Sequence, residues 1–193
     1  MSFRLAGSIP KSVEQSLVRK EQRGRKAPSG TSDSEKRAWD TYGQMERSFA
    51  RWDDALDKAE GGASWLGGSD VARLVAETLH LGHGRGYDLL AFCVMPNPVH
   101  AVFAPLRKND GSYHSVSSIM RSLKGSTARA ANLALGRRGV FWQHENYDHV
   151  VRDEAEVGRV IAYVLDNPVM AGLAQARDAW EWSYSKYELW GKL

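Results

Sequence analysis

The sequence predicts an α+β fold, an antiparallel sheet with helices packed mainly on one face, and three observations predict it. Residues 89–106 hold two apolar, β-branched and aromatic runs split by Pro96-Asn97-Pro98, the pattern of two strands joined tightly. Residues 153–167 place Val157, Val160, Ile161, Val164 and Leu165 at three- and four-residue steps, the buried stripe of a helix. The order of elements, strand, helices, two strands, helix, strand, helix, belongs to α+β chains with antiparallel pairing.

In chain order, residues 3–7 alternate apolar with polar or small residues and predict a first strand, ended by Pro10. A basic stretch over 11–26 leads into Ala27-Pro28-Ser29-Gly30-Thr31-Ser32, a turn-rich connector. Residues 34–60 are helical in pattern, with Trp39, Tyr42, Met45 or Glu46, Phe49, Trp52 and Leu56 recurring until Gly61-Gly62. A further helix is predicted over 70–81, with Val71, Leu74, Val75 and Leu79 on one side. The two strands follow a turn at 82–86, and 107–114 is a polar loop. A helix over 115–135 turns Val116, Ile119, Leu123 and Leu133 inward and carries Arg121, Lys124 and Arg129 outside, with Arg137-Arg138 at its exit. Residues 139–151, containing Val140, Phe141, Trp142, Tyr147, Val150 and Val151, form a last strand or extended segment. The final helix opens on Asp153, a good N-cap with Glu156 three residues on, and is expected to stop at Pro168. The predicted organisation is a single domain over 1–193 with a helical insertion at about 11–83.

A chain of 193 residues, 42% hydrophobic and 25% charged, is long enough to bury a proper core. The net charge of +3 and a pI of about 9.0 permit a nucleic-acid partner without demanding one. Cys93 is the sole cysteine, which excludes an internal disulfide and a cysteine zinc site and leaves it as a small core residue. No run approaches the ~20 apolar residues of a membrane-spanning helix, so the cytoplasm is the expected location.

One residue of the strand pair is out of place. Residues two apart on a strand share a face, so histidines at 98 and 100 would hold two imidazoles ready to share a metal. This chain has His100 and, in the other place, Pro98. On the last helix Tyr163 and Asn167 are four apart, one turn from each other at the border of the apolar stripe. A tyrosine there can lie along the sheet with its hydroxyl free, and the asparagine carbonyl can meet a metal held by His100. Tyrosine is a covalent nucleophile toward phosphorus when something polarises the phosphate. Taken alone, a tyrosine bordering a core is ordinarily packing. Tyr147 is an alternative nucleophile without a ligand one turn on, and His144 and His149 could either approach the metal or pack. Arg121, Lys124, Arg129, Arg137 and Arg138 could neutralise phosphates or form a solvated helix face. Trp142, Trp180, Trp182 and Tyr184 could stack on unpaired bases or belong to the core.

Val94-Met95-Pro96-Asn97-Pro98-Val99-His100 resembles the Val-Met-Pro-Asn-His-Val-His signature of the REP-associated tyrosine transposases, relatives of the single-tyrosine HUH transposases. Further blocks resemble that family in the same order: Phe141-Trp142-Gln143, the stretch from Asp148 to Glu154, Tyr163-Val164-Leu165-Asp166-Asn167-Pro168-Val169 with Ala171-Gly172-Leu173, and Trp180-Glu181-Trp182-Ser183. The resemblance implies a ferredoxin-like sheet that binds single-stranded or hairpin DNA of REP-like repeats. It implies cleavage of one strand by tyrosine attack on a phosphate, giving a 5′-phosphotyrosine link and a free 3′-hydroxyl, with Mg²⁺ or Mn²⁺ as the metal. The nucleophile carries over to Tyr163 and the metal ligands to His100 and Asn167; the first histidine of the pair has no counterpart, because Pro98 occupies its position. The same resemblance favours a monomer over a dimer and a cytoplasmic, nucleoid-associated protein. The runner-up is a DNA-binding relative whose catalysis is weakened by Pro98.

Overall fold

A computed structural model of the chain describes residues 1–9, 11–24, 51, 55 and 63–187. It divides into two compact units, residues 7–63 and residues 1–6 with 64–193. The 7–63 unit contains α1 (Lys11–Gly24), a helix where the sequence pattern marked only a basic stretch; thirteen residues free of Gly and Pro run unbroken to Gly24. The connector and most of the helix expected over 34–60 lie outside the described residues, of which Arg51 and Ala55 are helical.

The larger unit is built from β1 (Ser2–Phe3), α2 (Ser69–Gly82), β2 (Tyr87–Val94), β3 (Val99–Pro105), α3 (Val116–Ala134), α4 (Glu154–Met170) and β4 (Ser183–Ser185). The sheet order is β1-β3-β2-β4 and every neighbouring pair is antiparallel. The extended segment 141–147 prolongs the sheet beyond β1. There Ser2 and Tyr147 exchange N–H···O=C bonds of 2.7 and 2.9 Å, and Gln143 and Ala6 donate to Arg4 and Phe141. With that segment counted as a strand, the order segment-β1-β3-β2 is the ferredoxin-like arrangement, and β4 is an addition at the far edge.

Neighbouring residues of a strand point to opposite faces, which sorts the helices. Phe92 meets His80 of α2, and Tyr87, whose ring lies against Phe103, donates its hydroxyl to the Leu79 carbonyl of α2 at 2.8 Å. Ala91, Cys93, Met95 and Val102 pack instead with Ile161, Val164 and Leu165 of α4. So α2, with α3 packed on it, covers one face and α4 covers the other. The predominance of helices on one face therefore extends to α2 and α3, with α4 as the exception.

Two local expectations change. The inner stripe of α3 is Ile119, Met120, Leu123, Thr127 and Ala131, and Leu133 is 83% exposed. Two residues past Ala131 it stands roughly 200° round the helix from that stripe. Pro168 does not end α4, which continues to Met170. Its missing N–H forfeits only the bond to the Val164 carbonyl, and just two helical residues follow. The predicted N-cap forms, with Asp153 Oδ1 accepting the Glu156 N–H at 2.8 Å.

Candidate functional site

The alternation of β3 turns His100 toward α4, where it is 1% exposed. The β1–β3 register sets Ser2 beside it, with Ser2 Oγ 2.6 Å from His100 Nδ1. On the other side of His100 its cross-strand partner is Cys93, and beyond Cys93 lies Ser183 of β4. A row Ser2–His100–Cys93–Ser183 therefore crosses the four strands β1, β3, β2 and β4 beneath α4.

Above this row the Tyr163 ring meets His100 edge-on, with centroids 6.2 Å apart and planes at 86°. Tyr163 is half-buried against the cluster formed by β2, β3 and α4. One turn on, Asn167 is buried, and its amide Nδ2 donates to the Tyr163 carbonyl at 2.8 Å, which leaves Oδ1 as the acceptor of that amide. The fold thus brings together Tyr163, His100 and Asn167 across a helix–sheet seam.

As a metal centre the seam is incomplete. His100 supplies one imidazole and Asn167 one carbonyl oxygen; Pro98 is buried and offers no side-chain donor. No group of three His, Cys, Asp or Glu suited to a metal ion exists among the described residues. The residues present do not make up the donor set that the resemblance implies. His149 does not fill the gap, because its Nε2 lies 2.6 Å from Glu156 Oε1 while Glu156 Oε2 accepts the Arg152 N–H at 2.7 Å. That pair sits at the start of α4, seven residues and two turns before Tyr163, roughly 10 Å along the axis. His144 is exposed, and Tyr147 belongs to the segment paired with β1.

The five cations and the tryptophan expected at DNA divide into two sets. Arg121, Arg129 and Arg138 are exposed. Lys124 instead donates from Nζ to the carbonyls of Gln143, Glu145 and His144 at 2.7, 3.2 and 3.3 Å. Burial is the main reason its pKa falls to about 8. The Arg137 guanidinium lies 3.6 Å from the Trp65 ring centroid and donates to Asn132 Oδ1 and the Val140 carbonyl. Trp142 is 5% exposed and donates Nε1–H to Thr127 Oγ1 at 2.8 Å. Trp142 is thus buried, while Lys124 and Arg137 are partly buried and engaged with neighbouring groups of the fold. Of the C-terminal aromatics, Trp180 donates to the Val94 carbonyl at 3.0 Å, and Tyr184 lies between His80 and Phe92.

Ser2 is the site residue that sequence reasoning missed, and nothing local signals it, since its partner lies 98 positions away. Glu156 was visible only as half of an N-terminal cap.

No family model matches the chain. It is 24% identical over 103 residues to a Haemophilus influenzae protein named "Putative REP-associated tyrosine transposase". The match takes in 50% of this chain and 58% of that protein, so the chain spans less than two thirds of the relative's length. Its fold matches a solved structure of a REP-associated tyrosine transposase bound to a REP hairpin, with a TM-score of 0.50 over 65% of this chain and 70% of that one, at 17% identity. Among the described residues no helix is long and apolar enough to cross a membrane. Sequence over half its length and fold over two thirds of it relate the chain to the REP-associated tyrosine transposases.

Proposed function

We propose that the chain binds single-stranded or hairpin DNA of the REP-like kind and nicks and rejoins one strand through Tyr163. The observation that carries this reading is the Tyr163 ring 6.2 Å from the buried His100 ring, with Asn167 one turn on. The REP hairpin bound to the protein of similar fold supports the choice of DNA. In the proposed step Tyr163 Oη attacks phosphorus and the bond from phosphorus to the 3′-oxygen breaks. The 5′-phosphate stays on the phenol as a phosphotyrosine ester, and the 3′-oxygen takes up the proton the phenol gives up. Attack by a 3′-hydroxyl on the ester reverses the step and joins strands. Among the described residues Mg²⁺ or Mn²⁺ would find His100 and Asn167 here and no third ligand, so no step is routed through the ion. Action on chromosomal DNA would place the protein in the cytoplasm, at the nucleoid.

A second reading, DNA binding with weakened cleavage, is favoured by Pro98, a buried ring where a ligand would stand. One assay tests both. The full chain is incubated with hairpin-forming single-stranded DNA and Mn²⁺, and covalent protein–DNA adduct is read on a denaturing gel. A low yield of adduct is expected, absent in Tyr163→Phe and raised about 10–100-fold in Pro98→His, the range over which metal-shell changes act. Adduct that appears only with Pro98→His selects the second reading. Adduct that persists in Tyr163→Phe removes the nucleophile assignment.

A further inference from the structure

We propose that the groove between α2 and α3, on the sheet face away from Tyr163, binds a single phosphorylated nucleotide unit. The groove encloses about 440 Å³, within the range of small-molecule sites. Its floor is apolar, formed by Ile119 and Leu123 of α3 and the edge of Tyr87. Gly82 shapes it, because a Cβ there would come within 2.4 Å of Tyr87 Oη, and the Tyr87 hydroxyl is fixed on the Leu79 carbonyl.

The polar rim has a definite sense. Thr78 Oγ1 donates to the Leu74 carbonyl, Ser118 Oγ to that of Ser115 and Ser126 Oγ to that of Ser122, at 2.8, 3.1 and 2.9 Å. These three hydroxyl hydrogens are spent on their own helices, so their oxygens present lone pairs to a ligand's N–H or O–H groups, and Ser122 adds a fourth hydroxyl to the rim. Arg85 lies at the mouth and is exposed; among the described residues it has no ion pair, and no Asp or Glu lines the groove. His114 and the first turn of α3, the positive end of a 19-residue helix, border the same rim, and the last turn of α2, a negative end, lines it at Leu81 and Gly82. A ligand matching this inventory carries an anionic group for the Arg85 fork, donors for the hydroxyl row and a flat body for the floor. A nucleotide has all three. The proposal uses none of the Tyr163 chemistry, and it rests on the DNA reading only where the nucleotide belongs to a strand.

The probes are dAMP, deoxyadenosine and a mixed-sequence 12-nucleotide single strand, titrated calorimetrically into the full chain. Binding of dAMP is expected about tenfold tighter than that of deoxyadenosine, and Arg85→Gln is expected to remove that advantage, the size of one charge-assisted hydrogen bond. Ser122→Leu, which fills the groove from an exposed position, should abolish dAMP binding with an unchanged melting temperature. Competition between the oligonucleotide and dAMP, or oligonucleotide binding alone that both variants weaken, assigns the groove to a nucleotide of a DNA strand. Bound dAMP that the oligonucleotide leaves in place assigns it to a free nucleotide. Probes that do not bind, or that bind equally to wild type, Arg85→Gln and Ser122→Leu, overturn the site. Such a failure leaves the Tyr163 adduct assay unaffected, so the two proposals fall separately.

Discussion

The Ser2–His100 pair shows how much of this seam is decided by one contact. A buried imidazole held at Nδ1 has a fixed ring orientation, and partners of this kind tune ligand or proton-acceptor nitrogens. Ser2→Ala would strip Nδ1 of that partner while both residues remain inaccessible to water, at a cost of about 1–3 kcal/mol. The expected result is a lower urea midpoint together with less Tyr163 adduct, and Ser2→Thr, which keeps the hydroxyl, should restore both. Full stability and full adduct in Ser2→Ala would show that the contact orients nothing. Tyr163 and Asn167 stood out by a local spacing, four along a helix, and His100 by its place in the motif at 94–100, where Pro98 holds the position two residues before it. Ser2 did not, because register between β1 and β3 is set by tertiary pairing that no local pattern encodes.

Among elements, the segment 141–147 depends most on a single side chain. It pairs with β1 through only a few bonds, and the Lys124 ammonium gathers three successive carbonyls that the irregular backbone would otherwise leave to solvent. Helical periodicity put Lys124 on the charged side of α3 with Arg121 and Arg129, and it could not show that one of the three faces carbonyls of a later segment. The helix expected over 115–135 was found within one residue at each end because its apolar spacing is local, although Leu133 falls outside the buried stripe. The carbonyls of a non-repeating segment have no such signature. The depressed pKa of Lys124 gives a test. Its folded value is about 8 against 10.5 for the unperturbed side chain. Between those values the unfolded chain binds more protons than the folded one, so this group makes stability rise with pH from about 8 upward. Lys124→Met lacks that titration. The stability of wild type relative to the variant should therefore grow between pH 8 and 10, read from urea midpoints at each pH. A difference that stays constant across the window would mean that the ammonium is not desolvated.

At the scale of the molecule, the sheet separates two surfaces. One carries α4 with Tyr163 and Asn167, and the other carries α2 and α3 with the exposed Arg121 and Arg129. This sidedness was hidden in the sequence, because β2 and β3 are apolar on both faces and an α4 stripe says that a helix packs without saying on which face. The division bears on how a charged polymer would be held. Arg121 and Arg129 are eight residues apart on α3, roughly 12 Å along its axis, and Arg138 follows at its exit, so the three could each meet a different phosphate of one strand. Neutralising phosphates releases counterions, and for a single strand each contact adds about 0.7 to the magnitude of the slope of log affinity against log salt. Replacing Arg121, Arg129 and Arg138 together by Gln should reduce that slope by about 2 and weaken binding at low salt across all sequences alike. Arg137→Gln, by contrast, should act on stability through its Trp65 stack and leave the slope unchanged. The measurement is fluorescence anisotropy of a labelled hairpin at several salt concentrations. An unaltered slope in the triple variant would make this face a solvated one, and the strand would then have to be held by the α4 surface alone.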